Sequence, residues 1–267
     1  MMTVDTDTCA FLLRAATDQI AASLDRPSQT DDIASVIHWV RSRSAKAAAD
    51  LRGQLATRYP DIGWTGEEDV PNDPNAAYWV YDPIDGAYHF LQGLPLWSSS
   101  LALVIGGRCV FGIVYDPTSN ELFVAQEGQG VTLNGERVTT RNKTDLKGAV
   151  LGSAVPPIAQ VGPEEHAEAL RLLERVTGQV FVVRQMASAS LQLAYVAAGR
   201  LDGYFEVGHD IPDWLAGALL VKEAAGVVTD LSGNGFGWSS DGLLAASPDI
   251  HAQLLKVAAS AAHVPSA

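Results

Sequence analysis

Two acidic residues close a short apolar strand in the stretch Trp79-Val80-Tyr81-Asp82-Pro83-Ile84-Asp85-Gly86. Pro83 fixes its own φ angle and disfavours helix at Asp82, and Gly86 permits a tight turn. This geometry can direct Asp82, the Ile84 carbonyl and Asp85 towards one point. Mg²⁺ prefers oxygen ligands of this kind. A surface turn is the alternative, but the apolar strand that leads directly into the acids favours a cation site.

Two further acidic clusters flank this stretch at a distance along the chain. Gly66-Glu67-Glu68-Asp69 lies before it, and alone this run reads as an exposed turn. Asp213 follows Glu206 by seven residues and opens an apolar helix, where helix capping is its alternative role. Consecutive acids repel one another unless water or a cation neutralises them. The three clusters together therefore favour a cation site over three separate turns.

The order of these motifs resembles the inositol monophosphatase family, which comprises lithium-sensitive phosphatases with a fructose-bisphosphatase-like fold. The resemblance covers most of the chain, including the strand pair at 99–115, the hairpin at 128–135 and the segment 184–189 before its helix. It implies a layered αβαβα sandwich of mixed α+β and α/β class. The implied reaction is the hydrolysis of a small phosphomonoester by metal-activated water, without a phosphoenzyme.

We expect a single domain at 1–267. Its hydrophobic periodicity predicts an α+β half at about 1–147 and an α/β half at about 148–267. In the first half, it predicts a loop at 25–38, helices at 8–24 and 44–59, and strands at 78–81, 99–105, 109–115, 121–125 and 130–133. Ser44 occupies the predicted N-cap position of the second helix. In the second half, it predicts helices at 164–175, 188–198, 213–225 and 248–261 and strands at 179–183, 202–205, 227–230 and 243–246.

The resemblance also implies a set of metal ligands. Glu67, Asp82 and the Ile84 carbonyl match the ligands of a first ion, and Asp82, Asp85 and Asp213 match those of a second. Glu67, Asp82 and Asp85 are the implied catalytic residues. The implied cofactor is Mg²⁺, as two or three ions, with Li⁺ as an inhibitor.

Six positions match the substrate contacts of the family. Backbone amides at Gly86 and Ala87 would receive the phosphate, and Glu206 would bind a substrate hydroxyl. The segment that corresponds to the substrate loop includes Arg184, Ala187 and Ser188.

Part of the water-activating apparatus departs from the family pattern. Ala87 stands where the family has Thr or Ser, and Ser44, 23 residues before Glu67, stands where it has an acid. Arg41 replaces the neighbouring Thr. Losing a positioned proton acceptor costs on the order of 10²–10⁴ in rate. Candidate compensating groups are Glu68, His89, Asp31 and Asp32.

Two interpretations of these departures stay open. One is a phosphatase with reduced activity that acts on a polyol, sugar or amino-alcohol phosphate. The bulk of Tyr88 and the altered loop at 184–189 indicate that this substrate differs from plain inositol phosphate. The other is a metal-binding scaffold with weak or no catalysis that acts through a protein partner. A nucleotide 3′-phosphatase of the same fold would need more basic residues than Arg184.

Composition restricts partners and location. The net charge of −13 across 267 residues argues against a nucleic-acid partner. The sequence has neither a signal peptide nor a long apolar stretch, so we expect no membrane association. Its two cysteines, Cys9 and Cys109, form no disulfide framework, which favours the cytoplasm. The resemblance implies a homodimer.

Overall fold

The computed structural model describes residues 4–22, 33–65 and 76–260. Within these ranges the chain forms two β-sheets and eight α-helices. The helices are α1 (Thr6–Ala21), α2 (Ile33–Arg58), α3 (Ala87–Gln92), α4 (Ile158–Val161), α5 (Pro163–Thr177), α6 (Ala189–Ala197), α7 (Ile211–Glu223) and α8 (Pro248–Ala259). None of the helices in these ranges is long and apolar enough to cross a membrane.

The first sheet is an antiparallel meander extended by one parallel edge strand. Its strands are β1 (Gly63–Trp64), β2 (Ala77–Asp85), β3 (Ser98–Ile105), β4 (Arg108–Asp116), β5 (Glu121–Gln126), β6 (Gly130–Leu133) and β7 (Glu136–Arg137). The order is sequential, β1-β2-β3-β4-β5-β6-β7, and only the pairing of β1 with β2 is parallel. Gly106 and Gly107 form the turn between β3 and β4, both with positive φ angles that glycine adopts readily.

The second sheet is mixed and draws all its strands from the second half of the chain. Its strands are β8 (Val150–Ser153), β9 (Val182–Gln185), β10 (Gly203–Val207), β11 (Val227–Thr229) and β12 (Gly242–Ala246). The order is β11-β12-β10-β8-β9, with β8 parallel to both β9 and β10 and with β12 antiparallel to its neighbours.

Three hydrophobic cores separate five layers. One core packs α1 and α2 on one face of the first sheet, and a second joins the other face to α6, α7 and the second sheet. The third lies between the second sheet and helices α5 and α8. The predicted αβαβα sandwich is therefore confirmed.

The central helices α6 and α7 are buried around most of their circumference, as expected for helices enclosed between two sheets. Glycines allow this layer to pack closely. A Cβ at Gly112 of β4 would lie 3.1 Å from the Ala216 backbone, and one at Gly217 would lie 2.5 Å from Leu193 Cβ. This packing brings the N-termini of α6 and α7 to the end of β2.

Helix α2 differs most from the prediction, because it begins at Ile33 and includes part of the predicted loop. Ser44 is consequently a buried residue inside the helix, and its prediction as N-cap is wrong. Its hydroxyl donates to the Val40 carbonyl at 2.9 Å, a bond that a mid-helix serine can form with the preceding turn. The rest of the predicted loop, residues 25–32, lies outside the described residues.

Other differences concern short elements. The strand predicted at 179–183 is displaced to Val182–Gln185, where Val182 and Val183 pair with β8. Helices α3 and α4 and strands β7 and β8 were not predicted. Each has six residues or fewer, too few to show a clear hydrophobic period.

Candidate metal centre

Three carboxylates meet where the end of β2 faces the start of α7. Asp82, Asp85 and Asp213 each offer an oxygen, and these oxygens all lie within 4.8 Å of one another. Asp85 is buried, whereas Asp82 and Asp213 are half-buried. Like charges this close repel strongly, so the arrangement calls for a cation or for protonation.

The local conformation of β2 brings its two acids together. Pairing with β3 shifts register between Asp82 and Asp85, so the strand is irregular at the Asp-Pro-Ile-Asp turn. The Ile84 amide donates to Asp82 Oδ1 at 2.9 Å, and the Ser99 hydroxyl donates to the Pro83 carbonyl at 2.6 Å. These bonds hold the turn against the neighbouring strand and place both carboxylates at its end.

Asp213 lies in the first turn of α7 rather than at its N-cap. Asp210 occupies the cap position, without a side-chain cap bond. The capping interpretation of Asp213 is therefore wrong, and its side chain is available to the cluster. Burial raises the pKa of Asp213 well above its ordinary value, and the charges of Asp82 and Asp85 raise it further. A bound cation would favour the ionised form of this acid.

Asp85 is held by the N-terminus of α6. Its Oδ1 accepts from the Ala189 amide at 3.2 Å, and its Oδ2 accepts from the Ser190 amide at 2.7 Å. The hydroxyls of Ser188 and Ser190 also donate to Oδ2. Burial raises the pKa of Asp85, and these hydrogen bonds oppose part of that rise.

Glu206 is a buried carboxylate on β10. Its Oε2 accepts from the Tyr204 hydroxyl and, at 2.9 Å, from the Trp214 indole nitrogen. Burial raises its pKa to about 8, and the nearby charges of Asp210 and Asp85 add to this effect. Two donors on one oxygen fix the carboxyl group and leave Oε1 as its remaining acceptor.

Gly86 joins β2 to α3 at a point where a side chain has no room. Its φ angle is 91°, and a Cβ there would lie 3.0 Å from the Leu96 carbonyl oxygen and 3.3 Å from the Ser188 nitrogen. The residue is the N-cap of α3, which begins at Ala87. Predicted substrate contacts at Gly86 and Ser188 are therefore adjacent in space.

The remaining predicted site residues have different positions. Arg184 has an exposed side chain on the edge strand β9, and Ala187 lies in the connection from β9 to α6. Glu67 lies outside the described residues, as do Glu68, Asp31 and Asp32. His89 Nδ1 is buried and has no hydrogen-bond partner in the part of the chain that the structure describes.

The residues present fit a hard divalent cation. All three clustered side chains are carboxylates, and Mg²⁺ typically binds through a few carboxylates together with water and substrate phosphate. Sequence reasoning missed Ser98, Ser190, Tyr204 and Trp214, which hold the acids in place. Only the Tyr-x-Glu spacing of β10, which puts both side chains on one face of a strand, could have indicated one of these contacts.

Comparisons with known proteins agree with this fold. The family model described as the inositol monophosphatase family matches residues 9–263. Nus factor SuhB of Pasteurella multocida is 41% identical over 200 residues, covering 74% of this chain and 73% of the relative. An inositol-1-monophosphatase of Rhizobium meliloti is 38% identical over 199 residues, covering 74% of each chain. The inositol monophosphatase structure from Anabaena (Nostoc) sp. PCC 7120 superposes with a TM-score of 0.81 at 26% identity, covering 97% of this chain and 96% of that one.

Proposed function

The chain belongs to the inositol monophosphatase family, and from that premise we propose that it is a Mg²⁺-dependent phosphomonoesterase. Its substrate would be a small polyol or sugar phosphate. The observation that supports the proposal most directly is the cluster of Asp82, Asp85 and Asp213, whose carboxylate oxygens lie within 4.8 Å of one another. Such a cluster gives an otherwise acidic protein a place to bind an anion through cations.

In this proposal the three aspartates hold Mg²⁺, and Glu67 and the Ile84 carbonyl complete the ligand set. The bound ions lower the pKa of a water molecule and stabilise negative charge on the phosphate and the leaving oxygen. The amides of Gly86 and Ala87, at the start of α3, would receive the phosphate, and the close packing of Gly86 against Leu96 and Ser188 holds this turn in place. Glu206, fixed through Oε2, would form a hydrogen bond with a substrate hydroxyl through Oε1.

Neither of the two positions that correspond to the family's water-activating side chains offers such a group here. Ala87 carries no hydroxyl, and the Ser44 hydroxyl is bonded to its own helix. We therefore expect turnover to be lower than in a relative that carries both groups, by on the order of 10²-fold or more.

Phosphate release from a panel of small phosphomonoesters, with and without Mg²⁺, tests the proposal. Asp82→Asn serves as the blank, because it removes a charge from the cluster and keeps the side-chain shape. Turnover that requires Mg²⁺ and disappears in this variant is the expected result. Measurable Mg²⁺ binding without phosphate release above the blank would contradict it.

A metal-binding scaffold that acts through a protein partner is the second candidate, and the residues at 44 and 87 are the observation that favours it. The Nus factor name of one relative is compatible with a role of this type. The double variant Ser44→Asp/Ala87→Thr separates the two. Activity that arises only in this variant supports the scaffold, whereas equal activity in the wild type supports the phosphatase.

We also infer that the protein forms a homodimer and works in the cytoplasm. The free thiols of Cys9 and Cys109 are compatible with a reducing compartment. Light scattering coupled to size exclusion tests the assembly, and a mass of one chain would contradict the dimer.

A further inference from the structure

Three serine hydroxyls converge behind Asp85. Ser98 Oγ lies 2.8 Å from Ser188 Oγ and 3.0 Å from Ser190 Oγ, and all three serines are buried. The hydroxyls of Ser188 and Ser190 both donate to Asp85 Oδ2. We call Ser98, Ser188 and Ser190 the hydroxyl cluster.

The two oxygens of Asp85 are occupied very unequally. Oδ2 receives three donors, which are the Ser188 hydroxyl and both the amide and the hydroxyl of Ser190. Among the residues that the structure describes, Oδ1 receives the Ala189 amide alone. An ionised carboxylate has about four lone-pair sites, two on each oxygen. Oδ2 is therefore full, and the free acceptor site of Asp85 is on Oδ1.

Ser98 acts through the other two serines. Ser188 and Ser190 each use their one hydroxyl proton on Asp85, so the Ser98 proton goes to one of their two oxygens. In the β2–β3 pairing Ser98 lies directly opposite Asp85. Ser98 thus restricts the rotation of the hydroxyl to which it donates, without touching the carboxylate.

The backbone around the cluster limits any rearrangement. Ser188 has a left-handed conformation with φ of 63°, which is unfavourable for a non-glycine residue, and its Oγ also accepts from the Leu191 amide at 3.2 Å. The cluster joins β2, β3 and α6 at one point, so the donors keep their positions when Asp85 binds a ligand.

From this arrangement we propose that the hydroxyl cluster makes Asp85 a ligand through one oxygen only and thereby favours Mg²⁺ over Ca²⁺. Ser190 and Ser98 are positioning residues in this role. Mg²⁺ requires six single oxygens in near-octahedral geometry, whereas the larger Ca²⁺ accepts carboxylates through both oxygens and tolerates irregular coordination. The inference rests on the proposed Mg²⁺ site and adds the origin of its ion selectivity.

The double variant Ser188→Ala/Ser190→Ala tests the proposal by calorimetric titration of the full-length, metal-stripped protein with Mg²⁺ and, separately, with Ca²⁺. The two substitutions remove both hydroxyl donors from Oδ2 and keep the Ser190 amide bond, so that Oδ2 gains a free acceptor site. Loss of an outer partner of a metal ligand typically weakens metal affinity by about 10–100-fold. We expect that loss for Mg²⁺ and a much smaller loss for Ca²⁺, so that the ratio of the two affinities shifts towards Ca²⁺. Ser98→Ala should shift the ratio in the same direction by less.

Two further variants separate positioning from general destabilisation. Ser190→Thr keeps the hydroxyl and should restore the wild-type ratio. Ser247→Ala removes a buried hydroxyl that has no hydrogen-bond partner among the described residues, and it should leave both affinities unchanged. Thermal unfolding of each metal-free variant shows whether the fold is retained.

Parallel losses of Mg²⁺ and Ca²⁺ affinity in Ser188→Ala/Ser190→Ala would overturn the proposal, since a purely structural role moves both ions together. Unchanged affinities for both would also overturn it. Failure of the proposed function looks different, because phosphate release by the wild type would then not exceed that of Asp82→Asn, while the titrations would still report the affinities for both ions.

Discussion

Replacing Glu206 by Gln should change how stability depends on pH. The folded chain holds the Glu206 pKa at about 8, compared with 4.5 for an exposed glutamate, with burial as the main cause. Between these two pH values the folded protein binds more protons than the unfolded chain. The free energy of unfolding of the wild type therefore falls as pH rises through this window. Gln cannot ionise, so the variant lacks this contribution.

The size of the effect follows from the same two values. At roughly 1.4 kcal/mol for each pH unit, the difference corresponds to at most about 5 kcal/mol. Relaxation and water entry around an ionised Glu206 reduce this figure, so about 2–5 kcal/mol is expected. The two proteins should have similar stability at pH 5, and the Gln variant should be the more stable near pH 8. The amide oxygen of the introduced glutamine can still accept hydrogen bonds from Tyr204 and Trp214, so the variant loses the ionisable group but keeps these two contacts.

Urea unfolding at intervals from pH 5 to 8.5, in the presence of a chelator, measures the difference directly. Other titrating acids are common to both proteins and largely cancel. Glu136→Gln, at an exposed position on β7, measures the effect of removing one surface carboxylate. A difference between the wild type and Glu206→Gln that stays constant within about 0.5 kcal/mol over this range would refute the reasoning.

Two further substitutions and one double-mutant cycle test separate parts of the structure. Gly86→Ala should lower the free energy of unfolding by more than about 1–2 kcal/mol, which is the cost of a left-handed conformation at alanine, because the new Cβ would also lie 3.0 Å from the Leu96 oxygen. An unchanged melting temperature would contradict this expectation. Trp214→Phe removes the indole donor from Glu206, the proposed substrate-binding acid, and should raise KM more than it lowers kcat in steady-state assays. A loss confined to kcat would contradict this role of Glu206. The bidentate pair of Arg200 and Glu121 should show a coupling energy below about 1 kcal/mol in a double-mutant cycle by urea unfolding, because the arginine side chain is 42% exposed.

Local sequence was sufficient to predict the part of the site that lies on β2. An apolar strand, a proline and a glycine restrict the backbone enough to bring Asp82 and Asp85 together. Asp213 lies 131 residues further along the chain than Asp82, and only resemblance to a family connected them. Within its own segment Asp213 looked like a helix cap, because the first turn and the cap differ by a few residues that periodicity does not resolve.

The supporting serines could not be predicted from sequence. Ser98, Ser99 and Ser100 form an ordinary polar run in a strand, and nothing local shows that Ser98 faces Ser188, 90 residues away. Such contacts depend on how α6 docks against the first sheet. The overall sandwich was easier to predict, since most of its elements are long enough to show a hydrophobic period or are marked by a glycine or a proline at one end.

The dependence of Asp85 on α6 has a consequence for the order of events during synthesis. A ribosome releases β2 more than one hundred residues before the amides and hydroxyls that bind this carboxylate. A nascent chain that ends before Ser188 therefore carries Asp82 and Asp85 with neither the helix terminus nor Asp213 opposite them. The strand end stays hydrated at that stage, and the centre is assembled only when the last third of the polypeptide docks. Chains that stall or are cut before this point can form much of the first sheet but not the centre.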